Sequence, residues 1–179
     1  MRRIAVVGCS GSGKTTLAQR LSRGLGLQHV ELDSIYHQPN WSPLPPDEFR
    51  RRVAARLDDE TGWVVDGNYN SAVGEWLQSR ADTIVWLDLP RHVVMRRVVS
   101  RTLRRFATRE ELWNGNREPL SNLWSWDPER SIIRWAWTSY PRNRARYETC
   151  CRDGSWAHAK IVRLGTVDEV RSFELANVG

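Results

Sequence analysis

The stretch IAVVGCSGSGKTT, residues 4–16 of this 179-residue chain, decides the fold. It opens with a short apolar run of the kind that forms a buried strand. The run GCSGSGKT at 8–15 then matches the spacing G-x-x-x-x-G-K-[ST]. Leucines recur at helical spacing after it, until Gly24 and Gly26 supply stop signals. The pattern therefore predicts a strand, a phosphate-binding loop and a helix in direct succession.

The glycine-rich loop predicts a nucleoside triphosphate site. Glycines permit the positive φ angles that turn successive backbone N–H groups toward one concavity, and the following helix N-terminus adds the positive end of its dipole. Lys14 is expected to reach the β- and γ-phosphates and the Thr15 hydroxyl to bind Mg²⁺, so the expected cofactors are ATP and Mg²⁺. The predicted nucleotide-binding residues are Gly8, Ser10, Gly11, Ser12, Gly13, Lys14, Thr15 and Thr16.

The rest of the chain alternates between short apolar runs and longer amphipathic stretches. Because strands alternate with helices, we expect an α/β fold with a five-stranded parallel sheet flanked by helices, in one domain spanning 1–179. The further strands are HVELD (29–33), WVVDG (63–67), TIVWLDLP (83–90) and KIVRL (160–164). The further helices are expected through 49–57, over 91–106, over 128–152 with an interruption at Pro141, and over 167–175.

Aspartates stand at the ends of three predicted strands: Asp33, Asp66 and Asp88. Ligands of parallel sheets bind beyond the carboxyl ends of the strands, although aspartate is also a common turn residue. Asp66 and Asp88 are both candidates for the carboxylate that orients Mg²⁺ near Thr15. Asp33 is the candidate to meet the phosphoryl acceptor, because the variable segment 34–46 continues from it.

The predicted helix over 91–106 carries stacked arginines. Arg97, Arg101 and Arg104 share one face, with Arg105 at its margin. Such a stack repels itself unless an anion lies among its members, and arginine binds phosphate oxygens well. We therefore predict phosphate contacts for Arg97 and Arg101, with a solvated face as the alternative. The side expected to pack in the core holds Met95, Val99, Leu103 and Phe106.

Two polar segments are expected to complete the site. An acceptor-binding segment is expected over about 34–60 and contains His37 and Trp41 as candidates to face the acceptor. The alternative is that they are ordinary loop residues. A small helical lid over about 107–127, which includes Arg117, is expected to close over the nucleotide because water is the competing phosphoryl acceptor. Trp63 and Trp86 lie within strands and are assigned to the core.

Composition narrows the functional classes. The net charge is +6, and only Lys14 and Lys160 are lysines among 27 basic residues, which fits anionic partners or simply a GC-rich genome. The apolar runs are too short to cross a bilayer, so no membrane partner is expected. The three cysteines lack CxxC spacing, which argues against a disulfide framework or a zinc site and favours the cytoplasm.

Six stretches form an ordered set along the chain: GCSGSGKTTLA (8–18), ELDSIYHQPNW (31–41), WVVDGNY (63–69), TIVWLDLPRHVVMRRVVSRTLRR (83–105), ELWNGNRE (111–118) and RARYE (144–148). With this set, the chain resembles the adenylate-kinase-related P-loop kinases and, more narrowly, the small bacterial DNA topology modulation proteins. The resemblance implies a three-layer P-loop kinase fold, nucleotide contacts for Arg97 and Arg101, and a Mg²⁺-organising role for Asp66.

One departure from adenylate kinases concerns the acceptor. Those enzymes follow the Asp-Gly after the third strand with Phe-Pro-Arg, whose arginine holds AMP, whereas this chain reads DGNYNS (66–71). The departure argues against AMP as acceptor. The predicted acceptor-side residues are Asp33, His37, Trp41, Asp66, Asn68 and Arg117.

The leading interpretation is an ATP-dependent kinase that acts on a small molecule, with Lys14, Asp33, Arg97 and Arg101 as catalytic residues. A hydroxyl acceptor is favoured because Asp33 could take its proton, and a nucleoside monophosphate is the alternative. A nucleotide-dependent nucleic-acid-binding protein is a second class, although no helix-turn-helix, zinc finger or RNA-binding signature is present. A simple NTPase is a third. Monomer and homodimer stay equally open.

Overall fold

In the computed structural model, which describes residues 1–69, 72–117 and 131–178, five parallel strands form one central sheet. Every strand pair is parallel, which confirms the predicted α/β sheet. The strands are β1 (Arg3–Gly8), β2 (Gln28–Glu31), β3 (Trp63–Asp66), β4 (Thr83–Leu87) and β5 (Lys160–Leu164). Their order across the sheet is β2-β3-β1-β4-β5, so the ends of β1 and β3 lie side by side.

Helices cover both faces of the sheet. They are α1 (Lys14–Leu25), α2 (Leu32–Tyr36), α3 (Pro46–Ala54), α4 (Ala72–Arg80), α5 (Arg91–Thr108), α6 (Ile132–Arg152) and α7 (Val167–Val178). Two three-residue 3-10 turns, Pro39–Trp41 and Trp113–Gly115, lie between them. No helix within the described ranges is long and apolar enough to span a bilayer.

The side chains of β1 explain the three layers. Alternate residues of a strand point to opposite faces, and β1 is apolar on both. Ala5 and Val7 join a core with α3, α4 and α6, whereas Ile4 and Val6 join a second core with α1 and α7. Two apolar faces require two covering layers of helices, which is the arrangement observed.

The predicted interruption of helix 128–152 at Pro141 is wrong. Helix α6 continues through Pro141 to Arg152. A proline cannot donate to the carbonyl four residues earlier, so the oxygen of Trp137 loses its helical partner. Arg91 replaces it, because its Nη2 donates to the Trp137 oxygen over 2.8 Å. Arg91 of α5 thereby donates to the carbonyl oxygen that Pro141 leaves without a helical partner.

The predicted packing face of α5 is also wrong by one position. Val94, Val98 and Thr102 are buried, whereas Val99 and Leu103 of the predicted face are exposed. The buried residues recur every four positions and face the phosphate loop and α6. Helix periodicity alone could not separate the two neighbouring stripes, because both are largely apolar.

The sequence did not predict helices α2 and α4 or the position at which β2 ends. Helix α2 is only five residues long, and strand β2 stops at Glu31, so Asp33 lies in the first turn of α2 and not at a strand end. Helix α4 contains Gly74, a poor helix former, because a β-carbon there would overlap the carbonyl oxygen of Tyr69.

A pair of tryptophan substitutions tests the core assignment. Trp63 is fully buried, and its Nε1 donates to Asp59 over 3.0 Å, whereas Trp137 is 53% exposed. We expect Trp63→Ala to lower the free energy of unfolding by about 3–5 kcal/mol, because it leaves a cavity. Trp137→Ala, which loses mainly a contact with Arg91, should cost about 1 kcal/mol or less. Urea denaturation measures both, and equal losses would contradict the assignment.

Candidate nucleotide and acceptor site

The loop between β1 and α1 has the conformation that its sequence predicts. Gly11 and Gly13 have φ angles of 83° and 101°, and Gly13 directly precedes the first turn of α1. A β-carbon at Gly11 would lie 2.5 Å from Cγ2 of Val98 and 2.9 Å from the Val94 oxygen. Glycine is therefore required both for the backbone angle and for the close approach of α5.

Three positively charged side chains converge on this loop. The Nζ of Lys14 donates to the Cys9 oxygen over 3.1 Å. From α5, the Nη1 of Arg97 donates to the Ser12 oxygen over 2.9 Å, and the Nη2 of Arg101 donates to Oγ of Ser10 over 3.3 Å. Backbone N–H groups, a helix N-terminus and three cations together form a site for a polyanion.

The pKa of Lys14 reflects its surroundings. Burial lowers the pKa of its ammonium, while the carboxylates of Asp66 and Asp33 act in the opposite direction. The start of α1 and the carboxylate at the end of β3 border the same space, because Oγ1 of Thr15 donates to Oδ2 of Asp66.

The outer arginines of α5 take a different position. Arg104 lies 3.2 Å from Glu110, and Arg105 lies 3.9 Å from the same carboxylate, measured between nitrogen and oxygen. Helix α5 therefore presents Arg97 and Arg101 to the loop, whereas Arg104 and Arg105 pair with Glu110, two residues beyond the end of the helix.

Asp66 is the strand-end carboxylate that meets the loop. Its Oδ2 accepts a hydrogen bond of 2.6 Å from Oγ1 of Thr15, and its Oδ1 lies 2.7 Å from Nε2 of His29. His29 was not foreseen, because its place beside Asp66 depends on the pairing of β2 with β3. No sequence signal identifies that pairing.

The oxygen atoms of Thr15 and Asp66 fit a Mg²⁺ ion. Magnesium prefers oxygen ligands, and it commonly keeps several waters and shares substrate phosphates, with only one or two protein ligands. Within the described ranges no three His, Cys, Asp or Glu residues form a metal site by themselves. Thr15 and Asp66 would therefore hold or orient the ion together with phosphate oxygens.

Asp88, the other candidate for this role, is used elsewhere. Its carboxylate is buried and accepts from Arg144 of α6 over 2.9 Å and from Nε of Arg163 of β5 over 3.0 Å. These two ion pairs connect β4 to α6 and β5. Asp88 is thus a structural residue in this arrangement.

Asp33, the residue predicted to meet the phosphoryl acceptor, lies in the first turn of α2. Its Oδ1 accepts a hydrogen bond of 2.8 Å from the hydroxyl of Tyr69. Burial and the charge of Asp33 raise the pKa of Tyr69, so its hydroxyl stays a donor. The tyrosine therefore fixes the direction of the carboxylate.

Part of the predicted lid binds the acceptor segment. We call residues 113–117 the clasp. The Nδ2 of Asn114 donates to the oxygens of His37 and Ser34, over 2.5 and 3.2 Å. The clasp is thus docked on the segment after β2, and closure of the lid over the nucleotide stays a prediction. The remainder of the predicted lid, from residue 118, lies outside the described residues.

Asn116 and two tryptophans complete this contact. Asn116 is buried, and its Oδ1 accepts from the backbone N–H of Trp41 over 2.9 Å. The ring of His37 stacks on that of Trp113, with centroids 5.8 Å apart, and meets Trp41 edge-on at 5.2 Å. Burial lowers the pKa of His37, which keeps its ring neutral at pH 7. Trp41 thus packs within the clasp contact.

The last two predicted acceptor-side residues have other partners. Asn68 accepts a hydrogen bond of 2.9 Å at Oδ1 from the hydroxyl of Tyr147. The side chain of Arg117 is exposed and pairs with Glu111 at 3.4 Å, while its carbonyl oxygen accepts from Nε1 of Trp41. Neither side chain is brought together with Asp33 by these contacts.

Comparisons with known proteins agree with this architecture. No protein-family model matches the chain. It is 32% identical to a cytidylate kinase of Pyrococcus horikoshii over 110 residues, covering 55% of this chain and 56% of that one. It is 28% identical to a shikimate kinase of Synechococcus sp. over 105 residues, covering 52% and 54%. The chain spans 56% to 60% of the length of four cytidylate kinases that it matches.

A solved structure matches over nearly the whole chain. A gluconokinase from Sinorhizobium meliloti superposes with a TM-score of 0.53 at 19% identity, covering 99% of this chain and 91% of that one. A likeness at this identity concerns the fold. The chain has the P-loop kinase fold, a five-stranded parallel sheet flanked by helices with a phosphate loop after the first strand.

Two glycine substitutions test the nucleotide site. Gly11→Ala places a methyl group against Val98 and should weaken MgATP binding by at least about tenfold, because the loop must shift away from α5. Gly26→Ala also has a positive φ, of 66°, but nothing lies within 4 Å of the new atom. It should cost about 1–2 kcal/mol of stability and leave MgATP binding unchanged. Titration calorimetry decides, and normal binding by Gly11→Ala would contradict the assignment.

Proposed function

We propose that this protein is an ATP-dependent phosphotransferase that moves the γ-phosphoryl group of ATP to a hydroxyl of a small molecule, with Mg²⁺ as cofactor. One observation carries the proposal. The Thr15 hydroxyl donates to Asp66 over 2.6 Å, and Asp66 pairs in register with Glu31, two residues before Asp33, so the phosphate loop and a candidate base lie at one edge of the sheet. The similarity to cytidylate and shikimate kinases and the shared fold with a gluconokinase support a small-molecule kinase in general.

The donor side would stabilise the phosphates. The loop N–H groups and Lys14 would bind the β- and γ-phosphate oxygens, and Arg97 and Arg101 would add charge-assisted hydrogen bonds as the γ-phosphoryl group leaves. Bound Mg²⁺, held through Thr15 and Asp66, would neutralise charge on the phosphate oxygens. These groups are already held in place by the contacts of Lys14, Arg97 and Arg101 with the loop, which limits reorganisation during the reaction.

The acceptor side would take up the proton of the acceptor hydroxyl. As the acceptor oxygen forms its bond to the γ-phosphorus, the bond from that phosphorus to the β,γ-bridging oxygen breaks, and Asp33 takes the hydroxyl proton. The hydrogen bond from Tyr69 would aim the carboxylate. A nucleoside monophosphate would not need this base, because its phosphate is already ionised. Asp33 therefore supports a hydroxyl acceptor.

Two other interpretations have specific support. The cytidylate kinase similarity favours a nucleoside monophosphate acceptor. The ordered motifs and the net charge of +6 favour membership in the DNA topology modulation proteins and a nucleotide-dependent nucleic-acid role. In the second case DNA affinity should fall steeply with salt and survive Lys14→Ala.

We further propose a cytoplasmic protein, since Cys9, Cys150 and Cys151 are all free thiols.

An acceptor screen tests the proposed activity. The protein would be incubated with MgATP and panels of nucleosides, nucleoside monophosphates and hydroxyl metabolites, and products would be identified by the added mass of a phosphoryl group. Lys14→Ala is the control and should lower transfer by orders of magnitude with the fold intact. The absence of any product, although MgATP binds tightly, would contradict the kinase proposal.

Substitution of Asp33 tests its role as base. Asp33→Asn should lower phosphoryl transfer to the acceptor by about 10²–10⁴-fold, because the amide cannot take the proton. Affinity for MgATP should change little. Tyr69→Phe, which removes only the aiming hydrogen bond, should have a smaller effect. Equal losses of transfer and of MgATP binding in Asp33→Asn would instead identify a metal-organising or structural residue.

A further inference from the structure

The charges of the acceptor side indicate which acceptors the site admits. Glu31, the last residue of β2, lies two residues before Asp33 and pairs in register with Asp66 of β3. The three carboxylates therefore stand at one edge of the sheet. This inference rests on the proposed kinase function, and it concerns the charge of the molecule that is phosphorylated.

The clasp docks three to six residues beyond Glu31, through the hydrogen bonds of Asn114 to the oxygens of Ser34 and His37. Burial raises the pKa of Glu31, and so do the charges of Asp66 and Asp33. A half-buried carboxylate beside two others creates a negative potential where the acceptor must lie, because charges interact strongly away from bulk water.

Several arginines of the described residues are engaged by other groups. Arg97 and Arg101 are directed at the phosphate loop. In the acceptor segment, Arg51 and Arg52 both pair with Glu48 on the exposed side of α3, with Arg52 also 3.4 Å from the Gln38 side chain, and Arg50 lies over the ring of Trp76. Arg117 pairs with Glu111. The site is thus divided into a cationic nucleotide side and an anionic acceptor side.

His37, next to the clasp, adds no positive charge, because burial lowers the pKa of its ring and keeps it neutral at pH 7. An acceptor with its own phosphate or carboxylate would meet the carboxylates of Glu31 and Asp33, and like charges in such a site disfavour binding strongly.

We propose that the acceptor is a hydroxyl compound without a negative charge, a neutral polyol or an amino alcohol, and that Glu31 excludes anionic hydroxyl compounds. Glu31 is then a specificity-determining residue. An acceptor ammonium would pair with its carboxylate, a neutral hydroxyl compound would donate to it, and an anion would be repelled.

Fractionation by charge tests the proposal on acceptors of every charge class at once. A bacterial metabolite extract is separated on ion exchangers into anionic, neutral and cationic pools. Each pool is incubated with the wild-type protein and ATP labelled in the γ-phosphate, with Asp33→Asn as the blank. Label should pass to compounds of the cationic or neutral pool. Transfer confined to the anionic pool would overturn the inference and leave the kinase proposal standing. No transfer to any pool would overturn both.

A charge-neutral variant examines Glu31 itself. Glu31→Gln keeps the size of the side chain but removes its negative charge. Transfer to gluconate, measured relative to transfer to glucosamine, should rise by at least about tenfold. Glu48→Gln removes the same charge on the outside of α3 and should leave that ratio unchanged. An unchanged ratio in Glu31→Gln, or an equal rise in both variants, would overturn the role of Glu31.

Discussion

The close approach of Gly11 to Val94 and Val98 is the contact on which the rest of the site depends. It places the phosphate loop directly against α5, with no room for a side chain between them. Because α5 then runs past the loop, Arg97 and Arg101 reach the loop residues Ser12 and Ser10. A larger residue at position 11 would separate the loop from the helix that supplies two of its three cations.

The topology of the sheet supplies the opposing carboxylates. Strand β3 lies next to β1, so Asp66 at its end reaches the Thr15 hydroxyl at the start of α1. Strand β2 lies outside β3 and brings His29 and Glu31 to the same edge. The resulting separation of cations and carboxylates follows from strand order, since parallel strands all end at one edge. It supports both the kinase proposal and the exclusion of anionic acceptors.

Local pattern was sufficient for part of this account and insufficient for the rest. The loop, its lysine and the strands were predictable because each is determined by residues close together in the chain, and the arginine faces of α5 followed from helix geometry. The partners of Asp66 and Asp88 were not predictable, because these contacts depend on strand order and on ion pairs with distant residues. The docking of Asn114 on His37 joins positions 77 residues apart, and the continuity of α6 at Pro141 depends on Arg91. No local pattern contains these contacts.

The most direct measurement for the central claim, that the loop binds the β- and γ-phosphates, compares nucleotides of different phosphate length. Calorimetric titration would give the dissociation constants of MgATP, MgADP and AMP for the wild-type protein and for Lys14→Ala. The account predicts that the wild-type protein binds MgATP at least about tenfold more tightly than AMP, and that Lys14→Ala removes most of this difference. AMP binding as tight as MgATP binding, or a difference that persists without Lys14, would contradict it.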